Sequence, residues 1–494
     1  MKYISTRGNE QNFEAAEAII AGLADDGGLF VPTDIPDVDS QFIDSLVDIS
    51  YQERAKKVLG LFLTDFTDEE IAGCVDRAYG NNKFDDERIA PLTIFDDLSV
   101  LELWHGPTSA FKDMALQLLP QLMSTSLKKT GEKDKVLILV ATSGDTGKAA
   151  LEGFKDVPQI KIQVFYPDGG VSKIQRLQMV TQQGDNVSVM AVKGNFDDAQ
   201  TGVKNIFSDK AFNEKLNNGG TKLSSANSIN WGRLVPQIVY YFSAYADLIK
   251  AGKIKNGDEV NFTVPTGNFG NILACFYAKL MGLPVGRLIC ASNKNNVLTD
   301  FLRTGYYDRN RDFFKTITPS MDILISSNLE RLLYHLTNDT DKVSEWMGQL
   351  KIDGRYDVGE GLLLKLNRMF WADWADDEKT AAIIREVKEE KDYIPDPHTA
   401  VALAVAKEYQ RKMNDKRPMV VVSTASPYKF NDSVLKALSI DLGDGEPFTM
   451  LDKLEEVNNV AAPKGLAALR TAKPLHEGVC AKEAMPQAVL DFVK

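Results

Sequence analysis

The fold is decided by the stretch Val136-Leu-Ile-Leu-Val-Ala141, which Thr142-Ser-Gly-Asp-Thr-Gly147 and Lys148-Ala-Ala-Leu-Glu-Gly-Phe154 follow directly. A short, continuous apolar run is typical of a strand that is buried on both faces of a parallel sheet. The small polar residues after it predict a loop, and the residues after the loop predict a helix. The stretch therefore indicates one strand–helix unit of an α/β sheet.

The same alternation recurs on both sides of this unit. Further strands are predicted at 161–165, 187–192, 259–264, 287–291 and 419–422, with helices between them. This pattern predicts an α/β protein with doubly wound, mostly parallel sheets. The interval at 210–258 between the two blocks indicates two lobes, and the first ninety residues read as mainly helical. We therefore predict domains at 1–90, 91–255 and 256–494, with ligands beyond the carboxyl ends of the strands.

Composition excludes several classes of protein. The chain has 494 residues, 44% of them apolar, and its 57 Lys and Arg against 69 Asp and Glu give a net charge of -12. This acidic balance argues against nucleic-acid binding. Four scattered cysteines and four isolated histidines predict free thiols and no metal site. No apolar run approaches the ~18 residues of a membrane span, and the charged N-terminus does not resemble a signal peptide, so we expect a cytoplasmic protein.

The segment His105 to Leu119 contains the first candidate for chemistry. Lys112 is predicted to lie on a helix, on the same face as Leu116, Leu119 and Met123. Desolvation by apolar neighbours lowers the pKa of a lysine, and a nucleophilic lysine needs such surroundings. Taken alone, the segment is better explained by a lysine near a helix start that extends past apolar neighbours to solvent.

Two loops that follow predicted strands suit an anion. Residues 142–147 form either a tight turn or a ligand loop, and they fail the P-loop pattern at Thr142 and Ala149. In the loop after Val264, Gly267 and Gly270 allow the backbone to approach a phosphate at a helix N-terminus. Later in the chain, Ser423 and Thr424 place hydroxyls at a strand end. Two glycine loops together with Lys112 are a stronger indication than each feature alone.

The sequence resembles the threonine synthase family, whose members are pyridoxal-phosphate enzymes of fold type II in the tryptophan-synthase-β-like group. The resemblance covers nearly the whole chain. It is carried by residues 2–8, 26–32, 105–119, 141–147, 227–233, 264–271, 319–323, 326–333 and 423–430.

The resemblance implies a role for each matching position. Lys112 would hold pyridoxal 5'-phosphate covalently and shuttle protons, and Thr424 would face the pyridine nitrogen. The cofactor phosphate would be bound by Gly267, Asn268, Phe269, Gly270 and Asn271. The substrate carboxylate would be bound by Ser143, Gly144, Asp145 and Thr146, where many relatives carry Asn in place of Asp145. The substrate phosphate would be bound by Asn227, Asn230 and Arg233.

The implied reaction converts O-phospho-L-homoserine and water to L-threonine and phosphate by γ-elimination and β-addition of water. The nearest alternative is a serine or threonine dehydratase-like lyase of the same fold type, which would share Lys112 and the Gly267 loop. A P-loop nucleotide-binding protein and a non-catalytic relative are further alternatives. The resemblance leaves open whether the protein is a monomer or a homodimer.

Overall fold

The computed structural model describes residues 1–8, 12–80, 82–142 and 144–494. Its strands are Tyr3–Ser5 (β1), Phe30–Pro32 (β2), Leu92–Ile94 (β3), Ser99–Glu102 (β4), Lys135–Ala141 (β5), Ile160–Pro167 (β6), Val187–Val192 (β7), Thr221–Ser224 (β8), Val260–Pro265 (β9), Val285–Ser292 (β10), Tyr306–Asp308 (β11), Arg355–Asp357 (β12), Phe370–Trp374 (β13), Met419–Ser423 (β14) and Gly478–Cys480 (β15).

Helices occupy most of the remaining chain. The α-helices are Ala15–Ala21 (α1), Ser40–Asp44 (α2), Tyr51–Phe62 (α3), Asp68–Tyr79 (α4), Lys112–Leu116 (α5), Leu119–Thr130 (α6), Asp145–Phe154 (α7), Lys173–Val180 (α8), Phe196–Ser208 (α9), Lys210–Asn218 (α10), Trp231–Leu234 (α11), Pro236–Lys250 (α12), Gly270–Leu280 (α13), Val297–Thr304 (α14), Leu329–Thr337 (α15), Thr340–Ile352 (α16), Gly359–Met369 (α17), Asp377–Lys391 (α18), Pro397–Met413 (α19), Asn431–Ala437 (α20), Pro447–Asn458 (α21), Lys464–Ala467 (α22) and Met485–Val493 (α23). Short 3-10 helices lie at Pro319–Met321, Pro427–Phe430, Ala468–Arg470 and Lys482–Ala484.

Two sheets form the centre of the molecule. The larger has the strand order β13-β10-β9-β14-β4-β3, in which only β3 runs antiparallel to its neighbour. The smaller has the order β15-β7-β6-β5-β8, and all its pairs are parallel. The predicted α/β class with mostly parallel sheets is confirmed. The N-terminal region is mainly helical, as predicted, and also contains the antiparallel pair β1–β2.

Strand β5 shows why the apolar run decides the fold. It lies between β6 and β8 in the smaller sheet, and its residues from Val136 to Val140 are buried. In the larger sheet, β14 lies between β9 and β4 and is buried along its whole length. Since these neighbours are parallel, the loops that follow β9, β14 and β4 leave the sheet at one edge, where ligands bind in such folds.

The sheets do not follow the predicted domain boundaries. Strands β3 and β4 come from the predicted segment 91–255 but belong to the larger sheet, and β15 comes from 256–494 but belongs to the smaller one. A pairing such as Val422 with Leu101 joins residues that are far apart in sequence, and local patterns do not predict it. The three-domain division itself stays a prediction. The edge strands β8, β13 and β15 were also not predicted, because they are short or only partly buried.

Two negative findings concern the described ranges alone. None of the helices there combines the length and the apolar character that crossing a bilayer requires. The same ranges bring together no group of three or more His, Cys, Asp or Glu side chains suited to a metal ion.

The prediction of one continuous helix from Lys112 to Met123 is wrong. Helix α5 ends at Leu116 and α6 begins at Leu119. Pro120 explains the break, because its nitrogen has no hydrogen to donate to the Leu116 carbonyl. Helix α7 approaches at this point, and a Cβ added to Gly153 would lie 1.8 Å from the Leu116 oxygen. The short helix that begins with Lys112 is therefore packed against α7 through a glycine.

We predict that Gly153→Ala destabilises the protein by about 1–3 kcal/mol, because the added methyl group forces α7 away from α5. Urea unfolding would measure the change. Gly348→Ala is the matched control, since Gly348 also lies within a helix but has no atom within 4 Å of its added Cβ. That control should be neutral or stabilising by about 0.5–1 kcal/mol. Equal unfolding free energies for the two variants would contradict the packing argument.

Candidate active site

The turn before Lys112 is attached to the end of β14. The N–H of Phe111 donates to the carbonyl of Thr424 (2.8 Å), and the N–H of Ser426 donates to the carbonyl of Ser109 (3.1 Å). These bonds hold the start of α5 at the carboxyl edge of the larger sheet. Thr424 is buried, and its backbone contacts the residue that precedes Lys112.

Asp113 fixes the shape of the same turn. Its carboxylate accepts hydrogen bonds from the N–H (2.8 Å) and the hydroxyl (2.7 Å) of Thr108. The residue before α5 is Phe111, which makes no side-chain cap, so the helix begins without one. Burial raises the pKa of Asp113 to about 6. Ser109 has a left-handed backbone with φ of 60°.

The amino group of Lys112 is enclosed by protein. Its Nζ lies 3.7 Å from Asp145 Oδ2 and 3.4 Å from Ser320 Oγ, and it lies 5.0 Å from the centre of the Phe111 ring. Burial lowers the pKa of Lys112 to about 8. The negative charge of Asp145 acts to raise this pKa, whereas the positive charges of Lys429 and Arg233 lower it further. Lys112 is therefore buried and does not extend to solvent, and charged residues contribute to its lowered pKa as well as burial.

The loop from Gly267 to Asn271 presents backbone donors. Its carbonyls are occupied, since Gly267 accepts from the hydroxyl of Ser326 (2.8 Å) and Asn268 accepts from the side chain of Asn328 (3.0 Å). The N–H groups of residues 267–271 donate to no acceptor in the part of the chain that the structure describes. Phe269 precedes α13 with a left-handed backbone, φ of 62°. Free N–H groups at a helix N-terminus suit a phosphate group.

Asn271 adds a side-chain donor to this loop. The hydroxyls of Tyr240 and Tyr241 both donate to its Oδ1, each at 2.6 Å. Its Nδ2 is buried and has no hydrogen-bond partner among the described residues. A Cβ added to Gly267 would lie 2.8 Å from the carbonyl oxygen of Ser320, so the loop needs glycine there. An oxyanion would satisfy the buried Nδ2, and the loop therefore fits a phosphate.

The loop after β5 is organised around its own side chains. Thr142 Oγ1 accepts from the N–H groups of Gly144 and Gly147, both at 3.0 Å, so these two donors are not free for a nucleotide phosphate. Asp145 is buried, whereas Thr146 is half-buried on α7. The fourth predicted residue of this loop, Ser143, lies outside the described residues. The P-loop alternative is not supported by this geometry.

Of the predicted substrate-phosphate residues, Arg233 has the most suitable environment. It is buried, its Nη1 donates to the carbonyl of Ala226 (2.7 Å), and burial lowers its pKa to about 10. Asn227 is exposed. Asn230 caps α11 through the N–H of Gly232, and its amide donates to the carbonyls of two other residues, Ile19 and Ser225. The amide oxygen and the amide nitrogen of Asn230 are thus both bonded within the protein, so Asn230 is unsuited to bind a substrate.

Several site residues were not assigned from the sequence. Lys429 contacts Asp145 Oδ1 at 3.0 Å, and the amide of Gln175 donates to the same oxygen at 3.0 Å. Ser320 donates from its backbone N–H to His398 Nε2 (3.2 Å). Lys429 and Ser320 lie in segments that carry the family resemblance, which was the only signal for them. Nothing in the local sequence pattern brings either of them to Lys112.

Comparisons with known proteins agree with this geometry. The family model "Threonine synthase N terminus" matches residues 2–79, and "Threonine synthase, C-terminal" matches residues 399–472. Threonine synthase of Schizosaccharomyces pombe is 39% identical over 89% of this chain and 90% of its own length. The threonine synthase-like 1 protein of Pongo abelii is 41% identical over 97% of this chain, but the chain spans only 64% of that relative's length.

A solved structure extends the similarity to the fold. The crystal structure of a threonine synthase from Brucella melitensis with PLP bound is 37% identical in sequence to this chain. The match has a TM-score of 0.88 and covers 100% of this chain and 99% of the other. Sequence identity over nearly the full length, two family models and a shared fold all agree, and the chain belongs to the threonine synthase family.

Proposed function

We propose that this chain is a pyridoxal 5'-phosphate enzyme that converts O-phospho-L-homoserine and water to L-threonine and phosphate. The observation that carries the proposal is the buried amine of Lys112, whose pKa is lowered to about 8. This amine lies next to Ser320, and the turn that contains Ser320 also contacts the Gly267 loop. A reactive amine and a phosphate-binding loop are thereby joined through one segment. The relatives named above support the same activity.

The residues that would hold the cofactor come from the start of α5, from the Gly267 loop and from the end of β14. Lys112 would attach it, the N–H groups of residues 267–271 and the Nδ2 of Asn271 would bind its phosphate, and Thr424 would face its ring nitrogen. When bound, pyridoxal 5'-phosphate supplies a ring that delocalises the negative charge left after a proton is removed from the substrate.

Lys112 would transfer protons at the substrate carbon atoms. An amine whose pKa is about 8 is partly neutral near physiological pH, so the same group can both accept and return a proton. A lysine with an ordinary pKa would be almost fully charged and would seldom accept one. Burial of the amine also limits contact between stray water and the reacting atoms.

The substrate would be oriented by its two anionic groups. Arg233 offers a buried guanidinium, which can bind a phosphate through two parallel hydrogen bonds, and the exposed Asn227 would assist at the entrance. The substrate carboxylate would lie at residues 143–146, where the backbone N–H groups of Asp145 and Thr146 would bind it. The Asp145 side chain would repel a carboxylate, so we assign it to a different role below.

We further propose a cytoplasmic location and a protein that works without nucleic acid or membrane, as a monomer or homodimer. All four cysteines are free thiols, which suits a reducing compartment. Sedimentation velocity of the purified chain would distinguish the monomer from the homodimer.

We predict that Lys112→Ala abolishes phosphate release from O-phospho-L-homoserine, a loss of at least about 1,000-fold, because both cofactor attachment and proton transfer need this amine. Borohydride reduction of the loaded wild type should label Lys112, and the variant should take up no label at this position. Circular dichroism should show a folded variant.

Lys222→Ala is the matched control for that experiment. Lys222 is exposed on the edge strand β8 of the smaller sheet and pairs with Glu132 at 2.7 Å, so its loss should leave turnover unchanged. Substantial phosphate release by Lys112→Ala would refute the assigned role. Formation of an oxo acid from serine or threonine by the wild type, without phosphate release from phosphohomoserine, would favour the dehydratase-like alternative.

We predict that Arg233→Lys lowers kcat/KM for O-phospho-L-homoserine by about 10- to 100-fold, because an ammonium group cannot reproduce the two parallel hydrogen bonds of the guanidinium. Cofactor attachment, followed by visible absorption, should be retained. Competition by inorganic phosphate should weaken in the same variant. A kcat/KM equal to that of the wild type would remove Arg233 from the substrate site.

A further inference from the structure

Lys429 is a fully buried cation beside the candidate site. It lies in the 3-10 turn Pro427–Phe430 after β14, and none of its side chain is exposed. Its Nζ donates to the carbonyl of Thr108 (2.9 Å) and lies 3.0 Å from Asp145 Oδ1. A buried ammonium is costly unless it is paired, so its position indicates a specific partner. That partner is the carboxylate nearest to Lys112.

Asp145 is shared unequally between the two lysines. Its Oδ1 forms the 3.0 Å ion pair with Lys429 and accepts from Gln175. Its Oδ2 lies 3.7 Å from Lys112 Nζ and accepts from the Ser320 hydroxyl at 3.3 Å. Coulomb attraction falls with distance and is strong at a desolvated site. Asp145 is therefore attracted more strongly to Lys429 than to Lys112.

We propose that Lys429 is a positioning residue, which acts as the resident counter-ion of Asp145 and so leaves the Lys112 amine able to lose its proton. The inference deepens the proposed function and rests on it, since it takes Lys112 to be the reactive amine. Without Lys429, the full charge of Asp145 would fall on Lys112 and hold it in the ammonium form.

The charges around both lysines determine whether Lys429 favours the neutral or the ammonium form of Lys112. Lys112 faces Asp145 on α7, Lys429 after β14 and Arg233 on α11, together with the uncharged Ser320 hydroxyl. Lys429 faces Asp145 and also acts on the buried Asp113 of α5. Burial alone would raise the pKa of Asp145, but the ammonium groups of Lys429 and Lys112 outweigh it and hold that pKa well below its usual range.

The test measures the protonation of Lys112 directly in the full-length chain freed of cofactor. Competitive acetylation with acetic anhydride from about pH 6 to about pH 10, read by mass spectrometry of the Lys112 peptide, gives its titration midpoint. We expect a midpoint near pH 8 in the wild type. In Lys429→Met, which keeps the length of the side chain but not its charge, the midpoint should rise by at least ~1 pH unit, a tenfold loss of free amine near neutral pH.

Two further variants separate charge from packing. Lys429→Arg keeps the positive charge and should stay close to the wild-type midpoint. Adding Asp145→Asn to Lys429→Met removes both opposing charges and should return the midpoint towards the wild-type value. An unchanged midpoint in Lys429→Met, or an equal rise in Lys429→Arg, would overturn the proposal.

The outcome remains interpretable when a variant does not fold or when turnover is absent. Asp145→Asn alone, with Lys429 intact, should lower the Lys112 midpoint, and no change there would also overturn the proposal. The titration uses neither cofactor nor phosphohomoserine. A confirmed shift without phosphate release would therefore refute the proposed reaction only, whereas phosphate release without the shift would refute the role of Lys429 only.

Discussion

The candidate site depends on keeping one lysine amine desolvated while a carboxylate lies close to it. Burial favours the neutral form of Lys112, and a nearby negative charge favours the ammonium form, so the two effects oppose each other. The structure resolves the conflict by geometry. Asp145 is held at 3.7 Å from Lys112 and has a closer cationic partner in Lys429. Asp145 also begins helix α7, where the helix dipole favours a negative charge.

This electrostatic arrangement requires contacts between distant parts of the chain. Lys112 is held through the hydrogen bond from Phe111 to Thr424, and Asp145 reaches it from the start of α7, which follows β5 of the other sheet. The glycine contact between α7 and α5 brings the two helices close enough for their first residues to interact. A small displacement of α7 would change the distance between Asp145 and Lys112. The protonation of Lys112 therefore depends on the packing at Gly153.

The sequence was sufficient for the parts of this site that follow local rules. The apolar run before Thr142 predicted strand β5, and the glycines at 267 and 270 predicted a loop before a helix, because strand burial and glycine conformations leave local patterns. The roles proposed for Lys112 and Thr424 come from the resemblance to the threonine synthase family, because composition and spacing alone do not indicate them. The assignment of a substrate role to Asn230 followed from its position in a motif, but its side chain serves as a helix cap.

The remaining features depend on contacts that no local pattern contains. Strand β4 lies in the larger sheet because it pairs with β14, more than three hundred residues later in the chain. Nothing in the sequence around Lys429 indicates that the fold buries it against Asp145. The break after Leu116 could have been predicted from the sequence, because Pro120 interrupts helical hydrogen bonding. It was not predicted because the apolar residues keep a helical spacing across the break.

Backbone strain on two sides of the site shows how strongly the surrounding structure determines it. Ser109 and Phe269 both have left-handed backbones, which cost about 1–3 kcal/mol each for residues with a side chain. Ser109 is held by its bond from Ser426, and the ring of Phe269 is buried and packs 5.9 Å from that of Phe370. Glycine at position 269 would relieve the strain but would give up the ring packing that fixes that turn. The fold thus keeps two costly conformations beside Lys112 and in the Gly267 loop, because a backbone hydrogen bond holds Ser109 and ring packing holds Phe269.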